Sequence, residues 1–211
     1  MRLAGPAVSL LVFVFSFALV VPSDVAFAVP GDPPTSTIRI RLKGPTLRVR
    51  CRGGDCAVTV IVTGNSYAVT VQRTRFSGAP FVFSKTVEGA TNVAIETGFG
   101  NDHVSLVGGV IPGFLRIGMG PGDDELAVIG TSAVGYGKID GGTGNDILSL
   151  AFGTIGGNFH LTGKGGTDTV SVNSGDFVAR AGFDGGFDTD ALTLHASFSQ
   201  PPLIRKFEQV Q

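Results

Sequence analysis

An all-β fold, a right-handed parallel β-helix (β-solenoid) of about eight 22-residue coils behind a signal peptide, is what this 211-residue sequence predicts. Three observations carry that reading. The chain holds 32 glycines, 16% charged residues and no tryptophan, which calls for many turns and argues against long charged helices. Asp102, Asp124, Asp146, Asp168 and Asp190 recur at a fixed interval of 22 residues. After each aspartate, apolar and polar residues alternate, as in Val104/Leu106, Leu126/Val128, Leu148/Leu150, Val170/Val172 and Leu192/Leu194, the period of a half-buried strand.

The first element is a targeting segment. Arg2 precedes the apolar run Val8–Val21, followed by Pro22 and the small-x-small tripeptide Ala26-Phe27-Ala28, the pattern of a secretory signal cleaved after Ala28. The run is shorter than the roughly 18 residues of a membrane span, and no second one follows, so the mature chain, 29–211, is expected to have no stable membrane span. This places the protein on the cell surface or in the medium, with the periplasm as an alternative. In such a compartment Cys51 and Cys56, separated only by Arg52-Gly53-Gly54-Asp55, are expected to form a local disulfide that pins a turn.

Residues 29–96 are expected to form the first coils, with divergent turns. Ile38, Val60 and Val82 fall in the first apolar column, and Val49, Val71 and Val93 lie beside the second. Residues 97–204 carry the regular coils, whose second column is Ile117, Ile139, Leu161 and Phe183 and whose third is Ile111, Ala133, Ile155 and Phe177. A 22-residue unit cannot bury its own apolar face, whereas stacked copies share one core. Eight coils at about 4.8 Å each give a rod roughly 38 Å long. Residues 205–211 form a cap or tail; uncapped, the end coils would offer open edges for self-association.

Five turns precede the alternating segments: Thr97-Gly-Phe-Gly-Asn-Asp102, Met119-Gly-Pro-Gly-Asp-Asp124, Gly141-Gly-Thr-Gly-Asn-Asp146, Gly163-Lys-Gly-Gly-Thr-Asp168 and Gly185-Gly-Phe-Asp-Thr-Asp190. Glycine permits positive φ, so carbonyls can turn toward a common point beside a hard carboxylate ligand. The competing reading has each aspartate bonding its own turn backbone with no metal involved. Charge is distributed unevenly: residues 29–95 hold nine basic and three acidic side chains, whereas 96–204 hold four and twelve. Divalent cations would neutralise that acidic half, and a solvated acidic surface would produce the same count.

Gly141-Gly-Thr-Gly-Asn-Asp-Ile-Leu-Ser149 resembles the glycine-rich nonapeptide of the hemolysin-type (repeats-in-toxin) calcium-binding family, and the other four turns resemble degraded copies. The resemblance covers about residues 97–194. It implies a parallel β-roll with Ca²⁺ held between stacked turns by Asp102, Asp124, Asp146, Asp168 and Asp190 and by carbonyls such as those of Gly100, Gly122, Gly144 and Gly166. Up to four ions would fit between five turns, most strongly between Asp124 and Asp146. The chain departs from the family pattern in carrying one nonapeptide per coil, in Thr97, Met119, Lys164 and Asp188 at glycine positions, and in its N-terminal signal.

Outside the turns, Phe114, Arg116, Tyr136, Lys138 and His160 fall in two adjacent outward columns, the second continuing upstream through Arg50, Gln72 and Ala94. They suit an acidic glycan, and they equally suit a solvated strand face. His103, His160 and His195 occupy different columns, which argues against a shared zinc site, and no nucleophile elbow or phosphate loop is present. A net charge of −1 argues against a general nucleic-acid binder. The expected function is therefore a calcium-binding surface or extracellular structural and binding module rather than an enzyme, with a cell-surface polysaccharide or another surface protein as partner. Two alternatives stand beside it: a polysaccharide lyase-like enzyme using Arg116 or Lys138 as base, and a metal-free adhesive rod.

Overall fold

The computed structural model describes residues 24–28, 37–74 and 80–211, which form twenty strands and no helix. The apolar run Val8–Val21 lies outside the described residues. The first five strands are β1 (Asp24–Ala28), β2 (Thr37–Lys43), β3 (Thr46–Arg52), β4 (Cys56–Thr63) and β5 (Ser66–Arg73). Next come β6 (Phe81–Glu88), β7 (Asn92–Glu96), β8 (His103–Val107), β9 (Val110–Ile111), β10 (Leu115–Pro121), β11 (Glu125–Ala133) and β12 (Gly137–Thr143). The remainder are β13 (Ile147–Ile155), β14 (Phe159–Gly165), β15 (Thr169–Phe177), β16 (Ala181–Phe187), β17 (Ala191–Leu194), β18 (Ser197–Phe198), β19 (Leu203–Arg205) and β20 (Gln209–Val210).

From β7 onward the chain is a parallel solenoid of about five turns, each coil one 22-residue repeat. Sheet A stacks β7-β10-β12-β14-β16-β19, and the facing sheet B stacks β8-β11-β13-β15-β17-β20. The register is 22 along sheet A from β10 to β16, where Leu115 stands beside Gly137, Gly137 beside Phe159, and Phe159 beside Ala181. Leu126 likewise stands beside Val104 and Leu148. Alternation sends one set of side chains between the sheets, so Ile117, Ile139, Leu161 and Phe183 meet Leu106, Val128, Leu150 and Val172 in a dry core. The third column closes each coil at Ile111, Ala133, Ile155 and Phe177, and aromatic rings fill the C-terminal half, with Phe159 and Phe177 centroids 5.1 Å apart.

The N-terminal coils are the correction to the sequence reading: there are about five turns rather than eight. β2 and β3 pair antiparallel, and β4, β5 and β6 form an antiparallel meander. Both tight connections are two-residue turns containing a glycine at positive φ, Gly44 before Pro45 and Gly64 before Asn65, and each sends the chain back along itself. A hairpin of this size consumes about one coil of sequence, so the apolar frame continues while the topology changes. β3 and β4 then supply the sheet positions of a first coil, 46 residues ahead of β7 and β8 rather than 44. The Tyr67 hydroxyl, buried in the meander, donates to the Ala90 carbonyl at 2.9 Å. At the other end of this region β1, which includes the expected cleavage tripeptide, pairs with the edge of β2.

Close stacking makes some glycines irreplaceable. Gly142 has φ +120, and a Cβ there would collide with the Gly120 carbonyl of the preceding coil, whereas Gly118 has open space. Gly142→Ala is expected to destabilise the fold by about 2–4 kcal/mol and Gly118→Ala by under about 1 kcal/mol, read from denaturant melts.

Candidate functional site

Each 22-residue coil turns from sheet A to sheet B through its glycine/aspartate loop, and the parallel register stacks the five loops. The aspartates are all buried at the start of the sheet B strands. Their carboxylates bond between coils rather than within a turn. The Asp102 N–H donates to Oδ1 of Asp124 at 2.7 Å, Asp124 to Asp146 at 2.9 Å, Asp146 to Asp168 at 2.9 Å and Asp168 to Asp190 at 2.8 Å. Each carboxylate thus satisfies the first amide of the neighbouring coil with a charge-assisted bond.

The two ends of this ladder are finished by other residues. At the N-terminal end the Cys56 N–H donates to Oδ1 of Asp102 at 2.8 Å, so Cys56 holds the place an aspartate takes in later coils. Cys51 stands 46 residues before Thr97, in the same column, and the Cys51–Cys56 disulfide closes the turn. Arg73 is buried nearby, with its guanidinium beside Gly54 and its charge acting on Asp102. At the C-terminal end the Asp190 N–H donates to Oε2 of Glu208 at 2.7 Å, which makes the tail a cap.

The second carboxylate oxygens have a different fate. Oδ2 of Asp102, Asp124, Asp146, Asp168 and Asp190 is buried without a hydrogen-bond partner. These atoms turn toward the first residue of the loop: a Cβ on Gly141 would lie 2.6 Å from Oδ2 of Asp146 and 3.1 Å from the Gly163 carbonyl. Gly163 stands in the same relation to Asp168 and the Gly185 carbonyl, and Gly185 to Asp190 and the Lys206 carbonyl. In the earlier turns Thr97 and Met119 occupy that column, both buried, and the Thr97 hydroxyl donates to the Met119 carbonyl.

Burial, followed by repulsion within the column and opposed by the N–H bonds, pushes the carboxyls of Asp124 and Asp146 up to about 7. Burial likewise raises Asp102 and Asp168 to about 6 and moves Asp190 upward. Such a column is chemically suited to holding a proton or a hard cation between turns. Of the carbonyls the sequence singled out, those of Gly100, Gly122 and Gly144 lie against the glycine of the next turn, Gly122, Gly144 and Gly166. The carbonyls that crowd the same first-loop glycines as the free oxygens are those of Gly163 and Gly185, which sequence reasoning missed. Among the described residues no group of three or more His, Cys, Asp or Glu is gathered as a metal site.

A second ladder runs along the exposed side. The N–H groups of Asn101, Asp123, Asn145 and Thr167 donate to Oδ1 of Asp55, Asn101, Asp123 and Asn145 in turn, at 2.7–3.1 Å. Its signal was the recurrence of Asn or Asp directly before the buried aspartate.

The outward stripe assembles in part. Arg116, Lys138 and His160 are consecutive neighbours on sheet A, and Phe114 stacks on Tyr136 with centroids 5.1 Å apart and planes 13° apart. Upstream the column is corrected: Arg48, not Arg50, stands beside Ala94, and Gln72 lies on sheet B, because the hairpins shift the register by two.

Comparison with known proteins finds no matching family model, no matching curated protein and no matching solved structure. What the geometry itself defines is a β-solenoid with an internal aspartate ladder.

The ladder has a pH signature. Folded values of about 6 to 7 lie above the ordinary 3.8, so the folded state binds these protons more tightly than the unfolded chain does. Its contribution to stability is complete below about pH 4, is lost as pH rises through about 7, and is flat beyond. In chelator, the thermal midpoint is expected to be lower at pH 8 than at pH 5. Asp146→Asn, a neutral isostere that keeps the Oδ1 acceptor, should make the fall shallower. Asp146→Ala leaves the Asp124 N–H buried and unbonded and should cost about 1–3 kcal/mol at either pH.

Proposed function

We propose that this chain is an exported, calcium-responsive β-solenoid that serves as a structural and binding module on the cell surface, in the medium or in the periplasm. The observation that carries the reading is the column of five buried Oδ2 atoms without hydrogen-bond partners. Five stacked carboxylates, with backbone carbonyls beside them, suit Ca²⁺, which would supply the missing positive charge and tie adjacent coils together. Asp146, Asp168 and Asp190 would hold it best, with the Gly163 and Gly185 carbonyls, because glycine at the first loop position puts no side chain beside the oxygens there. This moves the preferred positions one turn toward the C-terminus from the Asp124–Asp146 gap that the sequence favoured.

The apolar run Val8–Val21 supports export, and so does the Cys51–Cys56 disulfide, which belongs to an oxidising compartment. Cleavage after Ala28 would also uncover the edge of β2, a route to self-association. A structural role is favoured over a calcium-assisted, glycan-active enzyme because the buried aspartates face the interior while Arg116 and Lys138 stand on the outer face of sheet A, away from any ion in the turns. A metal-free adhesive rod is the second reading. It draws on the N–H bonds, which complete the ladder through Oδ1 without any ion.

Thermal melts at pH 8 in chelator and in millimolar Ca²⁺ separate the two readings. Calcium binding should raise the midpoint by several degrees and cancel the loss between pH 5 and 8. Asp168→Asn should blunt that rise. Superimposable melts with and without Ca²⁺ would leave the metal-free rod.

A further inference from the structure

The outer face of sheet A carries a charge pattern that neither the fold nor the aspartate ladder requires. Across the hairpin, Arg41 stands opposite Arg48 and Arg39 opposite Arg50. The Arg48 position continues through Ala94 to Arg116, Lys138 and His160, one residue per strand. From β2 to β14 this row crosses six strands, about 24 Å along the solenoid axis at about 4.8 Å per strand. A parallel row on the same face, two residues along each strand, reads Glu96, Gly118, Asp140 and Thr162. Glu96 is held by Arg50 at 2.7 Å and Asp140 by Lys164 at 2.8 Å, and each carboxylate keeps further acceptor capacity. The small residues Ala94 and Gly118 interrupt the two rows, and Gly118 opens onto free space.

We propose that this face is a docking track for a linear acidic glycan, a uronate-bearing chain lying parallel to the solenoid axis. The strand repeat is about the length of one pyranose ring, so successive sugars would meet successive strands. Carboxylates of such a chain meet the cation row, and its hydroxyls donate to the acceptor row. A nucleic-acid backbone offers the charges but few donors for Glu96 and Asp140, which is why the glycan fits better. The stacked Phe114–Tyr136 pair flanks the track, with Tyr136 46% exposed, and offers apolar ring surface to the C–H groups of a sugar. At the N-terminal end a shallow cavity of about 180 Å³ lined by Thr37, Arg39, Arg50 and Arg52 provides a fork-shaped seat for one carboxylate or sulfate.

The inference is independent of calcium in the turns, and the experiment keeps the two apart. Binding of a short oligogalacturonate to the full chain is measured by calorimetry, in chelator and in Ca²⁺, with dextran, a single-stranded oligodeoxynucleotide and anionic phospholipid vesicles as competing probes. The expected result is binding of the oligogalacturonate under every condition in which a melt shows the chain folded, weakening as salt rises. Arg116→Ala combined with Lys138→Ala should weaken it about tenfold or more, the loss of two charge-assisted contacts. Lys206→Ala, which removes a charge at the C-terminal end, should change it less than about twofold. Equal binding by the double variant, equal binding of dextran, or tighter binding of the oligonucleotide or the vesicles would overturn the proposal. So would absence of oligogalacturonate binding by a chain whose melt shows it folded.

Discussion

The bond from one aspartate's N–H to the next aspartate's carboxylate is the constraint on which the solenoid depends. It links equivalent atoms of adjacent coils, so it forms only if every coil has the same length and the same path through its turn. The 22-residue register of both sheets and the glycines that let loops lie directly on one another follow from that requirement. An insertion of one residue in a turn would break the bond and move every apolar side chain of the following strand to the wrong face.

The same bond creates an electrostatic problem. A carboxylate aimed along the stack uses one oxygen and buries the other, and repetition places five such oxygens in one column. Burial and mutual repulsion raise the affinity of that column for protons. Stacking and the raised carboxyl pKa values therefore have a single origin, and the local sequence modulates it. Thr97 and Met119 place a side chain beside the free oxygens in the first two turns, while Gly141, Gly163 and Gly185 place none in the last three.

A solenoid also has to end. At the N-terminal side the antiparallel hairpins replace coils, the disulfide replaces the aspartate's turn, and the Cys56 amide starts the ladder. At the C-terminal side Glu208, on a longer side chain from a differently shaped tail, receives the last N–H. Both devices satisfy backbone groups that would otherwise be exposed as sheet edge. The hairpins have a further effect, since they bring Arg39, Arg41, Arg48 and Arg50 together on the outer face of sheet A next to the regular coils.

What the sequence determined by itself is whatever repeats locally: the 22-residue period, the alternating columns of the core, the turns at 97–102 through 185–190, and the aspartates as the polar feature of each turn. Each is legible because one residue type recurs at one spacing. Only the tertiary structure decided what depends on chain direction and on the third dimension. The frame of Ile38, Val60 and Val82 fits coils and hairpins equally well, because apolar alternation is the same in parallel and antiparallel strands, and the turns at Gly44 and Gly64 set the direction. The two-residue shift that puts Arg48 rather than Arg50 beside Ala94 has the same cause. The division of each carboxylate into a bonded Oδ1 and a buried Oδ2 was invisible as well, since it arises only when one coil is laid on the next.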